Sequence, residues 1–179
     1  MGVKITDGFG PGDDEKAVSI LKKWKGGVIS DKLFTVLAGM VPTTGVVIVF
    51  LYNKKDPEVL FVPRPNGDPL WSGMLNLPGK LFRKIDFARS DQKPINGPLE
   101  RIETAEIGTK LPKRPKFAGI NLNSDKRGSW AILVYFIELN AKSEYKGVGE
   151  WVKVYGIKKR SDVIQTEINH INIALKKFV

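Results

Sequence analysis

The sequence has no cysteine and only one histidine among its 179 residues. Without cysteine there is neither a disulfide framework nor a thiolate metal site, and an intracellular compartment is favoured. The lone histidine, His170, sits beside Asn169 near the C-terminus and reads as a solvated or core-edge residue. Long apolar runs are also lacking. The longest such region, residues 36–52, is broken by Pro42, Thr43 and Thr44 and is too short to span a bilayer. The first sixteen residues carry glycines and acidic residues where a signal peptide would have a basic region and an apolar core. A soluble, cytoplasmic protein with no membrane partner is expected. No repeat, low-complexity tract or linker divides the chain.

Acidic residues are in short supply, with 19 against 29 lysines and arginines, for a net charge of +10. Clustered cations would suggest a nucleic-acid partner. Here they are scattered as Lys22, Lys23 and Lys25, then Lys113, Arg114 and Lys116, then Lys158, Lys159 and Arg160, with no alternation of basic and aromatic residues. A solvated basic surface is the first reading, attraction of a small phosphorylated ligand the second, and RNA or DNA the third.

A hydrophobic content of 42% suffices for one cored domain. Asp13 or Asp14 can cap a helix to about Lys25 with Ala17, Ile20, Leu21 and Trp24 on one face, and Gly26-Gly27 ends it. Residues 1–30 are therefore read as an N-terminal extension with an accessory helix, and 31–179 as the main domain. Asp31 can open a second short helix through Leu37. Gly45 to Tyr52 suits a strand buried on both faces, and the turn Asn53-Lys54-Lys55-Asp56-Pro57 returns it as Val59 to Val62, where Pro63 should close the ladder. Phe117 to Leu122 and Trp130 to Leu139 predict a further strand pair, and Glu150 to Tyr155 a short strand. Ser161 can cap a helix, and Glu167 to Phe178 supplies the last one, with Ile168, Ile171, Ile173, Ala174 and Phe178 apolar.

One stretch is hard to explain by folding alone: Gly97-Pro98-Leu99-Glu100-Arg101-Ile102-Glu103-Thr104-Ala105-Glu106-Ile107-Gly108-Thr109-Lys110-Leu111-Pro112. Pro98 suits a first helical turn, and Gly108 with Pro112 is a stop signal. At about 100° per residue, Leu99, Ile102 and Ala105 share one side, and Glu106 projects among them. A carboxylate on an apolar stripe needs an arginine, backbone donors or a metal ion. Arg101 and Glu106 are the leading functional candidates.

Arg101-Ile102-Glu103-Thr104-Ala105-Glu106-Ile107-Gly108 resembles the second half of the Nudix box, usually Arg-Glu-aliphatic-x-Glu-Glu-x-Gly-aliphatic. Arg101, Glu106 and Gly108 match, whereas Ile102 and Ala105 stand where the family has glutamates. The variant with Ala-Glu-aliphatic-Gly followed by Leu-Pro is similar to the GDP-mannose mannosyl hydrolase branch, which keeps one box glutamate as its magnesium ligand and breaks a sugar C–O bond. Upstream, Leu70-Trp71-Ser72-Gly73-Met74-Leu75-Asn76-Leu77-Pro78-Gly79-Lys80 resembles the Trp-x-x-Pro-Gly-Gly lead-in, with Lys80 for the second glycine. Asp86 falls where the box has its first glutamate, and the loop with Ser90-Asp91-Gln92-Lys93-Pro94 looks like an insertion.

The resemblance implies a Nudix-type αβα sandwich of the α/β class, with a mixed sheet and an extra N-terminal helix. It also implies a magnesium-dependent hydrolase of a nucleoside diphosphate derivative, such as a nucleotide sugar. Magnesium would sit on Glu106 and the carbonyl of Gly79 or Lys80, with Glu103, one turn away, able to share it. Arg101 would orient Glu106 by a two-pronged hydrogen bond; its alternative is a surface ion pair with Glu100 or Glu103. Arg64 stands where the branch contacts the diphosphate, and Trp71 and Lys80 join it as substrate-binding candidates. Their alternatives are a solvated loop arginine, a core-edge tryptophan and a tight turn at Pro78-Gly79. The mannosyl hydrolases place a histidine base in the loop before a late strand. Here that loop, Glu144 to Glu150, has none, so Glu150 or Glu144 is the candidate base. A catalytically impaired nucleotide-binding or interaction protein of the same fold, or a basic nucleic-acid-associated domain, is the alternative. A homodimer is left open, since proteins of this family are often dimers.

Overall fold

The computed structural model describes Lys16, Ser19, Lys23 and residues 43–178, except for Pro69, 89–92 and 126–127. The chain divides into two units, Met1–Phe34 and Thr35–Val179. In the first, Lys16, Ser19 and Lys23 are helical and exposed; the remainder of the expected accessory helix, and the helix expected from Asp31, lie outside the described residues.

The second unit is built on β1 (Thr43–Tyr52), which is buried from Gly45 to Leu51 and is β-branched or aromatic at every position from Val46 to Phe50. Successive strand residues point to opposite faces, so this continuous apolar run must be covered on both sides. Val47, Val49 and Leu51 enter one core with Ile171, Ala174 and Phe178 of the C-terminal helix, while Val46, Ile48 and Phe50 enter a second with Ile102 and Ile107. The result is a sheet between two helical layers, the expected αβα sandwich.

β1 turns into β2 (Glu58–Pro63) as an antiparallel hairpin, with Leu51 opposite Val59. β2 runs one residue past its expected end. Pro63 lies opposite Leu75 of β3 (Leu75–Asn76), and the neighbouring Arg64 N–H donates to the Met74 carbonyl at 2.9 Å. In an antiparallel ladder bonded pairs alternate, so the missing N–H of Pro63 faces away from β3 and costs no bond.

β4 (Gly79–Leu81) lies antiparallel to the start of β1, and β5 (Lys116–Asp125) with β6 (Gly128–Leu139) forms the expected second hairpin. β6 runs parallel to β1 over its whole length, from Thr43 opposite Trp130 to Tyr52 opposite Leu139. β7 (Glu150–Lys153) pairs with β2 and ends sooner than expected, passing into a 3-10 turn from Val154 to Lys159. The sheet order is β3-β2-β1-β6-β5, with β4 added on β1 and β7 on β2. Parallel and antiparallel pairings make it mixed. Ser161 lies in a turn and caps no helix.

The helices are α1 (Lys84–Ala88), α2 (Asn96–Ile102) and α3 (Glu167–Phe178). α2 continues as a single π turn, Glu103–Ile107, ended by Gly108 in the left-handed region at φ 67°. That turn changes which residues are buried. A uniform α-helix would have put Ala105 under the sheet, but Ala105 is exposed and Ile107 is fully buried with Ile102. Hydrogen bonds from i to i+5 stack residues five apart, which carries Ile107 beneath Ile102 and swings Ala105 to solvent. Among the described residues no helix is long and apolar enough to cross a membrane.

Candidate functional site

The site forms where β4 pairs with the start of β1 beneath the helix that bears Glu106. Lys80 lies opposite Val46, whose side chain belongs to the core on the α2 face, so the lysine stem points to that face too. Its ammonium donates to Oε1 of Glu106 and forms an ion pair with it, the two side chains being 27% and 19% exposed. The sequence placed a carboxylate on an apolar stripe in need of a partner; the partner is this lysine.

The backbone of β4 sorts the two candidate carbonyls. Ile48 N–H donates to Pro78 O at 2.9 Å and Phe82 N–H to Thr44 O at 3.0 Å, so by alternation Lys80 also turns its backbone groups to β1. The Lys80 carbonyl therefore faces β1, while those of Gly79 and Leu81 face away from it. Leu81 O is already taken, accepting from Nη2 of Arg101 at 3.0 Å.

Arg101 does not orient Glu106, nor does it pair with Glu100 or Glu103. It grips Asp86 with both prongs, Nη1 to Oδ1 and Nη2 to Oδ2, each at 2.8 Å. The Asp86 side chain is only 2% exposed and also accepts from Arg83 N–H at 2.7 Å. The Arg101 guanidinium holds the Asp86 carboxyl below the usual aspartate range, outweighing the opposing effect of burial. Gly97 makes room for this pair: a Cβ there would lie 2.0 Å from Oδ1 of Asp86. Arg101 is thus a positioning residue that ties the last turn of α2 to β4 and α1.

Glu103 turns away from Glu106. Its carboxylate accepts Leu111 N–H at 2.9 Å and Lys110 Nζ at 2.7 Å, fastening the segment after the box. Burial works against its ionisation, but these two donors prevail and lower its pKa. The ion sharing expected of Glu103 has no geometric support here.

Glu150, a candidate base, opens β7 opposite Phe61 and pairs with Arg160 Nη1 at 2.6 Å, which leaves it bound to the sheet edge. Glu144 accepts Asn140 and Ala141 N–H at 2.9 and 3.1 Å and pairs with Lys113, so it too is structural. The loop between them does reach the box: Val148 N–H donates to Ile107 O at 3.0 Å, and Tyr145 OH donates to Val148 O at 2.6 Å. Burial pushes the Tyr145 phenol up to about 12. His170 is buried on α3 with Nδ1 2.9 Å from Glu167 and belongs to the opposite face of the sheet.

Arg64 and Trp71 are brought together by a third residue that sequence reasoning passed over. Asp68 binds the Arg64 guanidinium and accepts Leu70 and Trp71 N–H at 3.0 and 2.8 Å, while Arg64 lies 5.8 Å from the Trp71 ring centroid. Its sequence signal was faint, an aspartate four residues after an arginine in a proline-rich loop. The Lys80–Glu106 pair had a clearer one, a lysine gained on a lead-in that otherwise ends in glycine beside the last box glutamate.

Magnesium takes a near-octahedral shell of oxygens and depends on carboxylates for charge. Among the described residues no three His, Asp or Glu side chains group closely enough to hold a metal. Of the oxygens the resemblance assigned to the ion, the Gly79 carbonyl is turned away from β1 and the Glu106 carboxylate is already held by an ammonium. A dication there would meet Lys80 charge against charge. The donor set does not fit the ion while that pair stands.

A mixed sheet between helical layers, with a glutamate-bearing helix lying over the paired β1 and β4, is the Nudix hydrolase fold. Solved structures of that fold match over three quarters or more of the chain. The NUDIX domain of Shewanella oneidensis NrtR complexed with ADP ribose superposes with a TM-score of 0.58 at 13% identity, covering 90% of this chain and 98% of that one. A NUDIX hydrolase from Nitrosomonas europaea gives 0.54 at 14%, over 76% and 90%. The C. elegans Ap4A hydrolase gives 0.54 at 8%, over 78% and 100%. No protein-family model matches the sequence, and neither does any curated protein.

Proposed function

We propose that this chain is a Nudix-fold binding module for a nucleoside diphosphate derivative, with hydrolysis by the box largely given up. The observation that carries the reading is the Lys80–Glu106 ion pair, which neutralises the one box carboxylate turned toward β4. Asp86 and Glu103 are committed to Arg101 and to Lys110 and Leu111, so neither adds charge for a cation. A ligand of this class is supported by the net charge of +10, which favours anions, and by the likeness to a NUDIX domain crystallised with ADP ribose.

Magnesium-dependent hydrolysis of a nucleotide sugar is the rival reading, favoured by the retained Glu106 and the outward Gly79 carbonyl. The C–O cleavage of the mannosyl hydrolase branch gains no support, because the loop before β7 holds no histidine. The test is to incubate the protein with excess magnesium and a panel of ADP-ribose, nucleotide sugars and dinucleotides, and to follow both products and binding heat. Binding without product above the level of a Glu106→Gln variant supports the module. Turnover that disappears in the variant establishes the hydrolase instead.

A further inference from the structure

The Lys80–Glu106 pair has the right chemistry to act as well as to neutralise. An ammonium has three donor hydrogens and no acceptor. One is directed to Glu106, and the Lys80 side chain is 27% exposed, on the face where the box helix meets β4. Two donors are therefore left for oxygens arriving from solvent. The stem rises from a strand paired on β1, and the carboxylate comes from a helix end fixed by buried Ile102 and Ile107, so the charge is held in place before any ligand arrives.

This is the arrangement a bridging cation has, with one side on a protein carboxylate and the other open to phosphoryl oxygens. We propose that Lys80 is a built-in replacement for the divalent ion, gripping the diphosphate of the ligand while Glu106 holds it, so that binding requires no metal. The proposal rests on the binding reading above. It explains why a lysine and an otherwise isolated glutamate lie together on this face. It also assigns Glu106 a role as positioning residue for Lys80.

The experiment uses the full chain and ADP-ribose as probe, titrated by calorimetry in EDTA and in excess magnesium. Affinities agreeing within about twofold in the two buffers support the proposal. Lys80→Met, which keeps the stem and removes the charge, should weaken binding in EDTA by about tenfold or more, and Lys80→Arg should restore much of it. A second readout needs no nucleotide: Lys80→Met removes the cation held on Glu106, so it should gain binding of manganese alone, read by the loss of the free-ion electron paramagnetic signal. Wild-type binding that appears only with magnesium overturns the proposal and leaves the binding module standing. Failure of Lys80→Met to change either readout also overturns it. No ADP-ribose binding in either buffer removes the module, and the proposal with it.

Discussion

Asp86 and Arg101 close a two-pronged ion pair, both bonds at 2.8 Å, across the two ends of the segment that interrupts the box. The pair lies almost out of water on the carboxylate side, so breaking it strands a buried charge. Asp86→Ala or Arg101→Ala should cost about 3–5 kcal/mol in urea unfolding. Gly97→Ala should act at the same place by driving a methyl into Oδ1 of Asp86. Added to Asp86→Ala, the Gly97 change should then cost less than it does alone, a coupling that a double-mutant cycle reads directly.

Acid should undo the same clamp. The Asp86 pKa is lowered in the folded protein, chiefly by Arg101. A depressed carboxylate stabilises fully above its unfolded pKa, near about 3.9, and that stability is lost as pH falls through the lower folded value. Asp68 and Glu103 are lowered as well, each against burial and by hydrogen bonds from Arg64 and from Leu111 respectively. Unfolding free energy measured from neutral pH downward should hold until about pH 4 and then fall. Asp86→Asn should flatten part of that decline.

The π turn gives opposite predictions for neighbouring residues. Ile107 is fully buried, so Ile107→Ala should destabilise by about 2–5 kcal/mol. Ala105 is exposed, so Ala105→Lys should change stability by no more than about 0.5 kcal/mol. An uninterrupted α-helix would reverse the order, which makes thermal denaturation of the two variants a test of the turn itself.

Burial raises the Tyr145 phenol to about 12, so its proton should leave only in strong alkali. Ultraviolet titration should show a phenolate step at about 12 that is missing in Tyr145→Phe. Loss of the bond to Val148 O should also cost about 1 kcal/mol and loosen the loop that rests on Ile107.

The fold was legible in the sequence where periodicity was strong. The unbroken apolar run of β1 required cover on both faces, and the hairpins and α3 followed their turn and helix signals. Ala105 was misassigned because a constant helical angle hides a local change of pitch. The site was legible as a set of residues and not as a set of pairs. Arg101, Asp86, Glu106 and Lys80 all stood out, but which cation meets which carboxylate depends on the register of β4 against β1, and a three-residue strand carries little register information of its own. Glu150 was proposed from its place in a loop. Its neutralisation by Arg160, ten residues on, depends on how the chain folds back after β7.

The central ladder joins Thr43–Tyr52 to Gly128–Leu139 in parallel, and nearly half the chain is strung between those strands. Long-range closures of this kind lose chain entropy before their contacts repay it, which lowers the rate of folding. The helix carrying Glu106 lies within the closed span and packs on a surface that exists only once the two strands have met. Both ion pairs should accordingly assemble late, so that weakening either one hastens unfolding far more than it delays refolding.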